Sequence, residues 1–193
     1  MSAALTVVPP FVRPGEAGVV AYFRALASAS PVPLVVYDVP ARTGQWVSAA
    51  TLRELAAIPG VVGVKHAVGG VTADTVALLA DPPPDFAVLG GDDVFLGPVL
   101  ALGAAGAISA SAHCATGAYA RLVEAWRIGA VDEARALGGV LSRLSAALFA
   151  APNPTVIKGV LHAEGRIPTA SVRLPLLAAD PALVAAAGEC VVR

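Results

Sequence analysis

Short, continuously apolar runs recur along the first half of the chain and predict β-strands. They cover Leu5 to Val8, Val32 to Tyr37, Val61 to Lys65, Phe86 to Leu89 and Ala107 to Ser109. Strands that are apolar on both faces are typical of a parallel sheet, because helices cover both of its sides. We therefore expect parallel strands that are joined by right-handed helical crossovers.

Segments with apolar residues at helical spacing separate these runs. Glu16 to Ser28 carries its apolar side chains on one face, and Ser48 to Ile58 and Thr72 to Ala80 each open with a residue suited to N-capping. The order is strand, then helix, repeated along the chain. This order predicts an α/β fold.

Only helical patterns follow the last predicted strand. They cover Ala118 to Gly129, Val131 to Ala150, Lys158 to Glu164 and Pro181 to Gly188, and Pro152-Asn153-Pro154 predicts a bend among them. No Ser-rich or Gly-rich linker divides the chain. We expect one structural unit with two regions, a βα region over residues 1–117 and a C-terminal helical region over residues 118–193.

The composition narrows the class of protein. With 193 residues and 56% hydrophobic content, the chain can bury a sizeable core. Its net charge of −1 and its scattered arginines do not favour binding to nucleic acid. The uncharged stretch from Val94 to Ala120 contains Gly and Pro residues that fit a buried helix, turn and strand better than a membrane span. Since Met1 to Pro10 does not look like a secretory signal, we expect a cytoplasmic protein.

Cysteines and histidines do not form a metal-binding motif in the sequence. Cys114 and Cys190 are far apart, which predicts free thiols in a reducing compartment. His66, His113 and His162 are widely spaced and lack a cysteine or histidine partner at ligand spacing. We expect no metal.

Lys65 is the best candidate for covalent chemistry. It is one of only two lysines, and it ends an apolar strand. Burial disfavours the charged form of an amine, and a free amine can attack a carbonyl carbon to form a Schiff base. The structural alternative is a surface lysine at a strand end, which is the commoner situation for an arbitrary lysine.

Two residues at the end of the preceding strand strengthen this hypothesis. In parallel α/β folds, functional residues gather at the carboxyl ends of the strands, so Tyr37 and Lys65 should face one pocket. A phenol can relay protons to an amine, and Arg42 can bind a carboxylate. The alternatives are an interfacial tyrosine and a solvated loop arginine.

Four segments together resemble the dihydrodipicolinate synthase and N-acetylneuraminate lyase family of class I aldolases. They are Val35 to Gly44, Val62 to Lys65, Gly91 to Asp93 and Gly106 to Ser109. The resemblance implies a (β/α)₈ TIM barrel, of which the chain would contain about strands four to eight, followed by the helical region. The chain resembles the C-terminal two-thirds of the family and lacks strands one to three, so we expect an open, partial barrel that associates through its apolar faces.

The resemblance also implies roles for individual residues. Lys65 matches the lysine that captures pyruvate as a Schiff base, and Tyr37 matches the tyrosine that transfers protons. Arg42 matches the arginine that binds the second substrate's carboxylate. Thr43, Gly91 and Ile108 complete the expected substrate-binding set. No cofactor is implied, because the Schiff base through Lys65 is covalent; a keto acid such as pyruvate and a homo-oligomer are the expected partners.

Three functions are consistent with this resemblance. The first is a pyruvate-dependent lyase of the dihydrodipicolinate synthase type, which forms 4-hydroxy-tetrahydrodipicolinate. The second is an aldolase or dehydratase that acts on 2-keto-3-deoxy sugar acids. The third is a catalytically silent chain, because the truncated chain lacks the loop that holds the pyruvate carboxylate in the family and Pro10-Phe11 replaces a tyrosine pair.

Overall fold

The computed structural model describes residues 3–191 of the chain. The chain divides into two compact units, with the boundary between Ile108 and Ser109. Residues 1–2 and 192–193, which belong to the predicted βα and helical regions, lie outside the described residues. The predicted boundary after residue 117 falls within the second unit, where Gly117 is part of a helix.

The first unit contains a five-stranded parallel sheet with the strands in sequence order. The strands are β1 (Ala4–Val7), β2 (Leu34–Asp38), β3 (Val61–His66), β4 (Ala87–Gly90) and β5 (Gly106–Ala107). The helices are α1 (Gly15–Ala29), α2 (Pro40–Thr43), α3 (Ala49–Ala56), α4 (Ala73–Ala80) and α5 (Leu96–Ala101), with a 3₁₀ turn at Asp93–Phe95. The predicted α/β fold is confirmed.

Local hydrogen bonds explain where two of these helices begin. The Ser48 side chain accepts a hydrogen bond from the backbone N–H of Thr51 and caps α3. Thr72 and Thr75 form a reciprocal capping box at the start of α4. Each cap satisfies backbone donors that the first turn of a helix leaves unpaired.

The short helix α2 was not predicted from the sequence. Pro40 occupies its first turn, where the missing N–H of proline costs nothing. Gly44 ends the helix with φ +72°, a left-handed conformation that glycine adopts readily. Four residues are too few to show a helical repeat in the sequence.

The core of the first unit lies between one face of the sheet and helices α1, α3 and α4. The buried strand residues on this helix-covered face include Leu34, Val36, Val64 and Val88. They pack in one cluster with side chains such as those of Phe23, Leu52 and Leu78. The other face of the sheet, which we call the inner face, carries Leu5 and Val7 at 46% and 36% exposure.

The second unit is helical. It contains a 3₁₀ turn at Ser111–His113 and helices α6 (Thr116–Arg127), α7 (Val131–Leu148), α8 (Thr155–Ala163) and α9 (Pro181–Glu189). Buried side chains such as those of Leu122, Leu141 and Leu144 form its interior. Among residues 3–191, no helix is long and apolar enough to cross a membrane.

Candidate active site

Lys65 and Tyr37 meet on the inner face of the sheet, at its carboxyl edge. The two residues are directly paired between the parallel strands β2 and β3. The Lys65 Nζ atom lies over the Tyr37 ring, 4.3 Å from the ring centroid. Both side chains are half-buried. The structure thus brings together the two residues that sequence analysis selected for covalent chemistry.

An irregularity in the sheet sets this pairing. The register between β2 and β3 shifts between Leu34 and Val35, so that Leu34 pairs with Val61 but Val35 pairs with Gly63. A Cβ atom on Gly63 would lie 2.6 Å from the Ala87 carbonyl oxygen, which leaves room only for glycine. The register beyond the shift places Tyr37 beside Lys65.

Gly91 and Ile108 continue the strands at the same edge. The Gly91 N–H donates a hydrogen bond to the His66 carbonyl (2.8 Å), and the Ile108 N–H donates to the Gly90 carbonyl (2.9 Å). A Cβ atom on Gly91 would lie 2.9 Å from Cγ of Lys65. The absence of a side chain at Gly91 therefore leaves the space that the Lys65 stem occupies.

Arg42 and Thr43 lie on α2, which begins two residues after β2 ends. The Arg42 side chain is exposed, so its guanidinium can meet a ligand from solvent. Thr43 is buried, and its hydroxyl contacts the carbonyls of Val39 (3.3 Å) and Gln45 (3.2 Å) and accepts from the Gln45 N–H. These hydrogen-bond contacts of the Thr43 hydroxyl stabilise the turn after α2.

Asp38 and His66 form a pair that was not predicted from the sequence. They are the next paired residues after Tyr37 and Lys65, and they project to the helix-covered face. Asp38 is 0% exposed and His66 is 5% exposed. The Asp38 Oδ2 atom lies 3.3 Å from Nδ1 of His66. Alternation along the strands was the sequence signal for their burial. Asp38 follows Tyr37 and His66 follows Lys65, so each projects away from the face that carries the predicted pocket.

Burial governs the electrostatics of two carboxyl groups near this edge. It raises the pKa of Asp38, while the neighbouring His66 acts in the opposite direction and Asp74 adds to the increase. Burial also raises the pKa of Asp92, whose Oδ2 accepts a hydrogen bond from the Gly69 N–H at 2.6 Å. Asp92 thereby fastens the loop after β3 to the loop after β4.

The described residues contain no group of three His, Cys, Asp or Glu side chains that could hold a metal ion. Cys114 and Cys190 are free thiols in the second unit. The pKa of Cys114 is raised to about 11, mainly because the thiol is buried. This thiol therefore stays protonated at neutral pH. Neither observation adds a residue to the candidate site.

Comparisons with known proteins agree with the fold. The profile of the dihydrodipicolinate synthetase family matches residues 1–185. A 4-hydroxy-tetrahydrodipicolinate synthase from Moorella thermoacetica is 39% identical over 175 residues, which cover 91% of this chain and 59% of that protein. A protein of the same name from a Cyanothece species is 36% identical over 184 residues, covering 94% of this chain and 62% of that protein.

Solved structures lead to the same family. A dihydrodipicolinate synthase from Bacillus anthracis matches with a TM-score of 0.92 and 31% identity, over 100% of this chain and 66% of that one. The dihydrodipicolinate synthase from Acinetobacter baumannii, in complex with pyruvate, matches with a TM-score of 0.91 and 32% identity. The match covers 98% of this chain and 64% of that one. The chain therefore belongs to the dihydrodipicolinate synthetase family. It spans 59% and 62% of the length of the two curated relatives above.

Proposed function

We propose that Lys65 forms a Schiff base with a keto acid such as pyruvate, in a reaction of the 4-hydroxy-tetrahydrodipicolinate synthase type. The observation that carries this proposal is the position of the Lys65 amine over the Tyr37 ring, at the carboxyl edge of a parallel sheet. The names of the curated relatives support the reaction type. The pyruvate complex of the Acinetobacter baumannii structure supports the class of substrate.

The proposed chemistry uses two side chains. The free amine of Lys65 attacks the keto carbon and forms a carbinolamine, and the Tyr37 phenol then donates a proton to the departing hydroxyl group. Water leaves and a protonated imine remains. The Tyr37 phenolate then takes a proton from the adjacent methyl group, which gives a neutral enamine and restores the phenol. The enamine carbon can form a bond to the carbonyl carbon of a second substrate.

We assign the remaining predicted residues to the same substrate site. Gly91 leaves space for the Lys65 stem, and Ile108 offers its backbone near the end of β5. The exposed guanidinium of Arg42 is suited to a carboxylate of the second substrate, because its fork of N–H donors can bind both oxygens. Thr43 supports Arg42 from inside the turn after α2.

The activity of the whole protein, a cytoplasmic location and assembly into a homo-oligomer belong to the same proposal. One structural relative is described as the first monomeric dihydrodipicolinate synthase variant, and this description favours oligomers as the usual state of such enzymes. Leu5 and Val7, exposed on the inner face, offer apolar surface for association.

Borohydride trapping tests the proposal directly. The protein is incubated with pyruvate and sodium borohydride, which reduces an imine to a stable secondary amine. Peptide mass spectrometry should find the mass of pyruvate less one oxygen on Lys65. The variant Lys65→Arg should lose the adduct, whereas Lys158→Arg, which changes the only other lysine, should keep it.

The outcomes separate the candidate functions. No adduct on Lys65 would contradict the Schiff-base proposal and favour a catalytically silent chain. An adduct with 2-keto-3-deoxygluconate that is stronger than the adduct with pyruvate would favour the sugar-acid aldolase or dehydratase. An equal yield on Lys65 and Lys158 would mean that the reaction reports only exposed amines.

A further inference from the structure

A buried polar network lies on the opposite face of the sheet from the proposed Schiff-base site. Asp38 and His66 are paired between β2 and β3, one residue beyond the pair formed by Tyr37 and Lys65. Consecutive residues of a strand project to opposite faces. The two pairs therefore share the same short stretch of backbone while they face different surroundings.

Threonine hydroxyls hold the imidazole from the side of α4. The His66 Nε2 atom lies 2.9 Å from Oγ1 of Thr75. That hydroxyl also accepts from the Thr72 N–H at 3.1 Å and contacts the Thr72 hydroxyl at 3.0 Å. One hydroxyl has a single donor and two acceptor positions, so these three contacts use all of them. If the Thr72 hydroxyl donates, Thr75 donates to Nε2, and the proton of neutral His66 is on Nδ1, facing Asp38.

The carboxylate is held less well than the imidazole. Within residues 3–191, neither oxygen of Asp38 has a hydrogen-bond partner with good geometry, although Oδ2 is within ion-pair distance of His66 Nδ1. Asp74 on α4 adds to the raised pKa of Asp38, and His66 acts to lower the pKa of Asp92, which follows β4. A buried carboxylate without well-formed hydrogen bonds lowers the stability of the folded state. Replacing a buried ion pair by apolar side chains of similar size often leaves a protein equally stable or more stable. Stability alone does not explain this pair.

The register of the sheet offers an explanation for the presence of this buried pair. Because the register shifts between Leu34 and Val35, the beginning of the β2–β3 pairing does not determine how the two strands meet at their carboxyl ends. A slip by one residue would move each side chain to the opposite face. Asp38 and His66 attract each other across the two strands only in the observed register, and Thr75 fixes the imidazole against α4.

We propose that Asp38 and His66 are positioning residues: their contact holds the ends of β2 and β3 in the register that sets the Lys65 amine against the Tyr37 ring. The significance of this role rests on the proposed Schiff-base function of Lys65. The contact itself is a property of the sheet and can be measured without substrate.

A lysine NMR signal measures the position of the amine. The chain contains only Lys65 and Lys158, so protein labelled with ¹³C at the lysine ε-carbon should give two ε-CH₂ signals. The face of an aromatic ring shifts nearby nuclei upfield, so the Lys65 signal should lie upfield of the Lys158 signal. The variant Tyr37→Leu removes the aromatic ring. Loss of the upfield shift in this variant assigns the shift to the Tyr37 ring.

The decisive variant replaces the network by apolar residues, as Asp38→Leu together with His66→Leu. We expect its melting temperature to stay within about 5 °C of the wild-type value, because the replaced pair adds little net stability. We also expect the upfield shift of Lys65 to be lost. The rate of borohydride trapping with pyruvate should fall about 100-fold, the loss that follows a displacement on the order of 1 Å.

A control and a second variant keep this test decisive. Val36→Ile changes the same face of β2 two residues earlier and should keep the shift and the trapping rate. If the double variant does not fold, His66→Gln gives the same readout and should reduce the shift. An unchanged Lys65 shift in a folded variant would overturn the positioning role. If wild-type protein is not trapped by pyruvate, the proposed function fails, but the Lys65 shift still decides the positioning role.

Discussion

The two faces of the sheet place different chemistry on the same pair of strands. On the inner face, Tyr37 and Lys65 are half-buried and open to a ligand. On the helix-covered face, Asp38 and His66 are almost completely buried. Asp38 lies 3.3 Å from His66, and the other ring nitrogen of His66 contacts Thr75. One register beyond the shift between Leu34 and Val35 therefore places both pairs: the proposed reactive pair on the inner face and its proposed support on the other.

The largest expected effect comes from removing one partner on the helix-covered face. His66→Ala leaves the buried Asp38 carboxylate uncompensated, so the free energy of unfolding should fall by about 3 kcal/mol. Urea unfolding followed by circular dichroism measures this loss. His162→Ala is the control, because His162 is exposed. An equal, small effect of both changes would mean that the imidazole does not stabilise the buried carboxylate.

The next effect concerns the inner face. Tyr37→Phe keeps the ring but removes the phenolic proton donor, so the rate of borohydride trapping should fall about 100-fold while stability stays close to the wild-type value. Tyr22→Phe, at an exposed position on α1, should leave the rate unchanged. A normal rate in Tyr37→Phe would show that the ring matters only through its contact with Lys65.

A smaller effect is expected at Gly91. The Cβ atom in Gly91→Ala would meet Lys65 Cγ at 2.9 Å and Ala67 Cβ at 2.8 Å, so the lysine stem must move. Trapping should slow about tenfold, less than the loss for a displacement on the order of 1 Å. Gly117→Ala is the matched control, because no neighbouring atom would contact its Cβ within 4 Å. Equal rates for the two variants would contradict the role of Gly91.

The smallest effect is a dependence of stability on pH. Because the pKa of Asp38 is raised above 3.8, the folded state binds this proton more tightly than the unfolded state. The contribution of Asp38 to stability should therefore decline as the pH rises from the ordinary carboxyl pKa through the raised pKa. Asp38→Asn should remove this decline, as measured by urea unfolding at a series of pH values. A steeper decline in the variant would contradict the direction of the shift.

The sequence predicted most of the elements because their patterns are long enough. The apolar runs gave the five strands within a few residues, and capping residues such as Ser48 and Thr72 marked the starts of α3 and α4. Helix α8 begins at Thr155, three residues before its predicted start at Lys158, because Pro154 precedes its first turn without interrupting it.

The sequence also predicted that Lys65 and Tyr37 meet at one edge of the sheet, but it did not predict the contact between Asp38 and His66. Lys65 and Tyr37 each end an apolar strand, and the carboxyl ends of parallel strands meet at one edge. The contact between Asp38 and His66 depends on the register, and the shift between Leu34 and Val35 has no signal in the order of residues. Periodicity shows which face a residue occupies, but it does not show which residue lies opposite.

Adding pyruvate to the ε-carbon-labelled protein shows directly whether Lys65 is the reactive amine of an inner-face site. Formation of an imine changes the bonding of the Lys65 nitrogen, so the Lys65 signal should move to a new position as pyruvate is added. The Lys158 signal should stay in place and serves as the internal control. A Lys65 signal that does not respond to saturating pyruvate, or two lysine signals that respond equally, would contradict the account.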